Sequence, residues 1–169
     1  MYDAEVRTLA ELRSTSDAVV VAAPLDDEEA VLLDGDGITV LGRTMRVVRS
    51  LHGPLAEGEQ IVVTRVRYGV SPDAERRLNA QGLTASELPD AATDSPPFDH
   101  PLYVLGLTYT GDDYDPRAWA PANGPHSRIA LDDADIGAAE AVVEVPGTPL
   151  QQRMRGVSAG SILRRLGQP

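Results

Sequence analysis

The chain of 169 residues carries 26 acidic residues against 15 basic ones, a formal charge of −11, and contains no Cys. That length suits one domain with its own core, and the lack of Cys excludes disulfides, thiolate metal sites and a thiol nucleophile. The acidity repels phosphate backbones and anionic lipid, so nucleic acid is an unfavourable partner.

Thr8-Leu9-Ala10-Glu11 forms a capping box, in which hydroxyl and carboxylate each satisfy an orphan amide, and it predicts a short helix to about Arg13. The β-branched run DAVVVAAPL, bounded by Asp17 and Pro24, is a first strand. The acidic segment DDEEAVLLDGDG leads into ITVLGRTMRVVRSLHG, a long half-exposed second strand with a bulge or bend expected at Gly42. Turns at Gly53-Pro54 and Glu57-Gly58 return the chain onto EQIVVTRVRY, a third strand.

Ser71 as N-cap, Pro72 at the first helical position and Gly82 as the stop predict a helix, and a second capping box spans Thr84–Glu87. After the loop PDAATDSPPFDHP comes LYVLGLTYT, a fourth strand. A long loop, GDDYDPRAWAPANGPH, then precedes SRIAL and AEAVVEV, which supply the last strand or two. No apolar run approaches the roughly 20 residues that cross a bilayer. The opening MYDAEVRTLAEL is acidic and interrupted, unlike a signal peptide. A soluble chain without a membrane span is expected, with its compartment left open.

The order strand, strand, strand, helix, strand, strand predicts a mainly β fold with short helices, a single five-stranded OB-like barrel. Residues 1–146 would form the barrel, with a helical insertion over 71–90, and residues 147–169 a helical tail. SDAVVVAAP, VVRSLHGPLAEGEQIVV and HPLYVLGL together look like a group of uncharacterised actinobacterial proteins with OB-like, netrin-module-like barrels, over roughly residues 8–145. The use of Arg for every basic residue resembles a high-GC coding sequence, actinobacterial or actinophage. Netrin-like metalloproteinase inhibitors share the layout, but they chelate zinc through an N-terminal Cys that is missing here.

Gly156-Val157-Ser158-Ala159-Gly160 fits the G-x-S-x-G nucleophile elbow. In that elbow the acid and His follow the Ser in the chain, yet no Asp, Glu or His follows Ser158. Ser158 is better explained as a helix N-cap, with Val157 stapled to Ile162 and Arg164 and Arg165 near the negative end of the dipole.

His52, His100 and His126 each border a turn or a proline and have no partner at ligand spacing. Aligning Gly37 with the sixth position of an EF-type calcium loop puts Leu32 first and Arg43 twelfth, so that match fails, and the acidic clusters read as solvated loop charge with an irregular calcium site as the alternative. No catalytic residue, metal site or cofactor is therefore expected.

Binding candidates fall in two groups. Tyr109, Tyr114, Arg117, Trp119 and His126 lie in or near the loop between the fourth and last strands, a usual ligand region of OB barrels. Such groups stack on rings or anchor a protein partner, and the competing explanation is that Trp119 and the tyrosines plug the open barrel end. Arg43 and Arg49 on the second strand and Arg65 and Arg67 on the third would form a stripe for an acidic partner if the hairpin register aligns them, with Arg46 pointing away.

Together these features suggest a non-catalytic binding or assembly module with a protein partner, itself or another, as an accessory protein or a subunit of a particle such as a virion. The alternatives are a metal-assisted hydrolase built from dispersed His and loop acids, and an oligosaccharide- or nucleic-acid-binding OB module.

Overall fold

The computed structural model describes residues 6–26, 29–33, 38–68, 96–111 and 116–167; the predicted helices over 71–90 lie outside that set. Helix α1 (Leu9–Ser14) starts where expected. Thr8 Oγ1 accepts from Glu11 N at 3.1 Å, and Glu11 Oε2 accepts from Arg7 N at 2.8 Å.

Five strands close a barrel. Strand β1 (Ala18–Pro24) pairs with the second half of β3 (Ile38–His52), and β3 pairs in turn with β4 (Gln60–Tyr68). The short β6 (Ala118–Pro121) runs parallel to β4 and antiparallel to β5 (Leu102–Tyr109), and β5 returns to β1. The expected mainly β, OB-like barrel is thus present, but its fifth strand is β6, a segment the sequence places inside a loop. The reason is local: AWAP is only four residues long, starts two residues after Pro116 and itself ends in Pro121. Three backbone bonds knit it in, Val62 N to Arg117 O at 2.9 Å, Thr110 N to Ala118 O at 3.0 Å and Ala122 N to Gly106 O at 2.8 Å.

The segments expected to supply the last strand instead extend the sheet. β7 (Arg128–Leu131) pairs with the first half of β5, and β8 (Ala141–Val142) pairs with β7. The acidic stretch after β1 also holds a strand, β2 (Glu29–Leu33), which pairs with the first part of β3. Gly42 sits where β3 passes from β2 to β1 as its partner, and its pairing with Thr64 of β4 is regular. The bulges fall later in β3, where Val48 and Leu51 are skipped in the register with β1.

All five barrel strands contribute to the inner core, through Ala18, Val20, Met45, Val47, Ile61, Val63, Tyr103, Leu105, Leu107 and Trp119. The alternate positions Val19, Val21, Leu102 and Val104 face outward into a second core. There they meet α1, α2 (Pro149–Met154) and α3 (Ala159–Gly167) through Leu9, Leu12, Leu150, Met154, Ile162 and Leu166. The tail therefore packs on the barrel. Burial on both faces explains the unbroken apolar runs of β1 and β5, and each fully buried Leu or Ile stabilises by about 1.5–3 kcal/mol. Gly106 is required by this packing, since a Cβ there would collide with Ser16 Oγ and with Leu12 Cδ1.

Residues 156–159 run beside residues 139–141, with Ala141 N bonded to Val157 O at 3.0 Å and Ala159 N to Ala139 O at 2.9 Å. Ser158 Oγ then accepts from Ser161 N at 3.2 Å and opens α3. The segment preceding Ser158 is thus not the parallel strand of a nucleophile elbow. Ser158→Ala should lower stability by about 1 kcal/mol and Ser158→Asp should be tolerated, as measured by urea unfolding; a covalent adduct of a fluorophosphonate probe at Ser158 would contradict the cap assignment.

Candidate functional site

The hairpin of β5 and β6 sets Tyr109 opposite Trp119. Trp119 points into the barrel and is 8% exposed, so it serves as the plug of this end, while Tyr109 is 42% exposed. Their rings meet edge to face, centroids 5.2 Å apart. Tyr109 Oη donates to Pro116 O at 2.9 Å, and its ring occupies the space a side chain at Gly111 would need. Below it, Asp17 Oδ2 accepts from Thr108 Oγ1 at 2.8 Å. Tyr109 is thus exposed and braced at once. Arg117 is exposed and engaged in interactions of its own. Tyr114 lies outside the described residues. His126 sits in the 3-10 turn Gly124–Ser127 beyond β6, and its Nδ1 is buried without a hydrogen-bond partner among the described residues.

The strand register settles which arginines share a face. Arg43 lies opposite Val63 and Arg65 opposite Leu41, so these two follow one alternation, the one that turns Met45, Val47, Ile61 and Val63 inward, and Arg67 is paired in the backbone register with Thr39. Arg49 is not among them. The bulge at Val48 pairs it with Val21, on the outer side of β1, and it lies exposed with Glu57 at 3.9 Å, a contact worth little. Arg43 is half-buried, and its Nη1 donates to Phe98 O at 2.8 Å. Arg65 is half-buried and has partners. The stripe accordingly loses one member to the bulge, and Arg43 serves the fold by anchoring the segment before β5.

The densest polar cluster was not legible in the sequence. Arg128, wholly buried on β7, grips Glu144 with two parallel bonds, Nε to Oε1 and Nη2 to Oε2, each 2.9 Å. Nη1 donates to Pro96 O at 2.8 Å, Nη2 to Pro97 O at 3.2 Å, and the guanidinium lies 4.0 Å over the Phe98 ring. Tyr103 Oη donates to Glu144 Oε2 at 2.9 Å and accepts from His100 N at 3.0 Å. His100 Nδ1 lies 3.3 Å from the same carboxylate oxygen, with its side chain 34% exposed. Gln151 completes the set: its Oε1 accepts from Glu144 N at 2.9 Å and Val145 N at 3.0 Å, and its Nε2 donates to Pro125 O at 3.0 Å.

Burial first, and the nearby Glu144 charge second, hold the Tyr103 phenol protonated well above its ordinary value of 10.0, against the opposing effects of the His100 amide and Arg128. The cluster binds four segments to one another. Its charges are met by protein groups, which makes it a clamp. The only visible signals were an Arg inside the apolar strand SRIAL and a Glu inside AVVEV.

The other sequence candidates disperse. His52 ends β3, His100 precedes β5 and His126 lies beyond β6, and among the described residues no three His, Asp or Glu side chains gather as metal ligands. The carboxylates around Asp133 serve the backbone: Asp132 accepts from Glu140 N at 2.8 Å, Asp133 from Asp135 N and Asp135 from Gly137 N, both at 2.9 Å. Comparison with protein-family models, with curated proteins and with solved structures yields no match.

Removing one member of the buried pair strands the other's charge, so Arg128→Met should cost about 3–5 kcal/mol, and adding Glu144→Leu should restore part of the loss. Urea unfolding of the single and double variants checks this; additive losses would contradict it.

The raised Tyr103 value gives a second test. Its contribution is fully present below about pH 10, where the unfolded phenol titrates, and is lost as pH rises from there toward the folded value. In an ultraviolet titration one of the five tyrosines should stay protonated until the fold is lost, and Tyr103→Phe should remove that late step. Five tyrosines titrating together would contradict it.

Proposed function

We propose that this chain is a non-catalytic binding module whose contact centre is the barrel end around Tyr109 and that its partner is a protein. The supporting observation is the combination at Tyr109 of 42% exposure with fixation by Trp119, Gly111 and the Pro116 carbonyl. Among the described residues the other exposed large apolar side chain is Leu25. An aromatic ring already held in one geometry loses little conformational entropy when a partner covers it, which is why Tyr recurs at the energetic centres of interfaces. Arg117, exposed and adjacent in the chain to Pro116, adds a charged donor of the type enriched there.

Two features favour this reading over its alternatives. The most concentrated titratable groups, Arg128, Glu144, Tyr103 and His100, direct their polar atoms at one another and at the backbone. The net charge of −11 opposes a nucleic-acid partner. Among the described residues no helix is long and apolar enough to cross a membrane.

The reading is tested by placing the photoreactive residue p-benzoylphenylalanine at position 109 of the full chain in its host cells, with the exposed Ala138 as the control position. One discrete protein adduct from position 109, absent from position 138, is the expected result; equal or no adducts at both overturn it. In a fluorescence anisotropy titration at physiological salt, single-stranded DNA should show no binding, and salt-dependent micromolar affinity would transfer the site to nucleic acid.

A further inference from the structure

A cleft beside β8 stands apart from the Tyr109 reading and does not depend on it. Its volume is about 810 Å3, in the range of small-molecule sites, and every residue that lines it belongs to the continuous described stretch 116–167. Two acidic residues and one arginine bring charge to the lining: Asp132 and Glu140 at the mouth of the β7–β8 hairpin, and Arg155 just past the end of α2. Val142, Val143 and Pro146 supply apolar surface in the same lining.

The backbone fixes where each charge stands. Asp132 N donates to Glu140 O at 3.1 Å and Glu140 N donates to Asp132 Oδ1 at 2.8 Å, so the two acidic residues are held opposite each other across the hairpin. Like charges in directly opposite positions repel, and a cation placed beside them relieves the repulsion. Arg155 is anchored through its neighbour, since Gly156 N donates to Ala141 O at 2.9 Å. Glu140 and Arg155 are both exposed, and the ion pairs of the described residues join Arg155 to neither acid. The cleft thus presents negative and positive groups on separate segments that do not neutralise each other, which matches a ligand carrying both signs of charge.

We propose that this cleft binds a small zwitterion, with an ammonium and a carboxylate at the two ends of a short aliphatic body. The ammonium lies with Asp132 and Glu140, the carboxylate takes the paired N–H donors of Arg155, and the body rests against Val142, Val143 and Pro146. A simple amine leaves Arg155 unused, and a simple carboxylate brings its charge up to two acids with no cation to offset them.

6-Aminohexanoate serves as the probe, with hexanoate and hexylamine as controls, in amide correlation spectra of the 15N-labelled full chain at neutral pH and fixed ionic strength. Saturable shifts are expected at Glu140, Val143 and Gly156 with the zwitterion, and weaker or no response to either control. Glu140→Gln and Arg155→Gln each remove one exposed charge, so both should keep the dispersed spectrum and weaken binding of 6-aminohexanoate about threefold or more. No saturation by about 10 mM, shifts centred elsewhere, equal binding of hexanoate or hexylamine, or unchanged affinity in either variant would overturn the proposal.

Discussion

Strands β1 and β5 are buried on both faces, and this double burial is the constraint from which the remaining architecture follows. Ala18, Val20 and Ala22 fill the barrel while Val19 and Val21 face outward, and Tyr103, Leu105 and Leu107 alternate in the same way with Leu102 and Val104. An antiparallel sheet with a second apolar face needs a cover. Helices α1, α2 and α3 supply it, at opposite ends of the described chain. Where the cover comes closest, the sheet has no side chain to offer: Gly106 leaves its space to Leu12 and Ser16.

The Arg128–Glu144 pair performs a different task. Buried ion pairs add little net stability because desolvation offsets attraction, but an imperfect arrangement costs a great deal. With two parallel bonds to Glu144, two backbone carbonyls and the Phe98 ring around one guanidinium, few alternative packings satisfy Arg128. The pair therefore specifies where the segment around Phe98 lies against β5 and β7, at the part of the sheet where β7 has taken over from β6 as the neighbour of β5.

Elements whose own residues carry their full signal were legible in the sequence. The α1 and α3 caps rest on contacts within four residues, and the doubly buried strands are unbroken β-branched or apolar runs. β2 and β6 were hidden because each is short and embedded in turn-forming or acidic text, and their strand conformation comes from a neighbour's free edge. Arg49 shows a finer limit. Its sequence spacing from Arg43 implied a shared face, but one skipped residue at Val48 reverses the direction, and alternation alone does not reveal a bulge. Tyr109 and Trp119 were visible as binding-type residues, whereas their division into an exposed ring and a buried plug depends on barrel closure. The Arg128 cluster draws on segments around residues 97, 103, 128 and 144, a convergence that no local pattern encodes.

The bond from Arg13 to the carbonyl of Leu166 joins positions 153 apart in the chain. On a ribosome α1 emerges well before its partners on α3, and β1 must likewise wait for β5 before its outer and inner faces are both enclosed. Long separations of this kind raise the entropic cost of the first productive contacts and slow folding relative to hairpins that close locally. Of the barrel seams, those between β3 and β4 and between β5 and β6 join strands linked by short connections. Vectorial synthesis thus delivers the β3–β4 hairpin before α2 and α3, and in that interval the apolar outer face of β1 is only partly covered, which is the kind of exposed surface that makes an incomplete chain prone to aggregate.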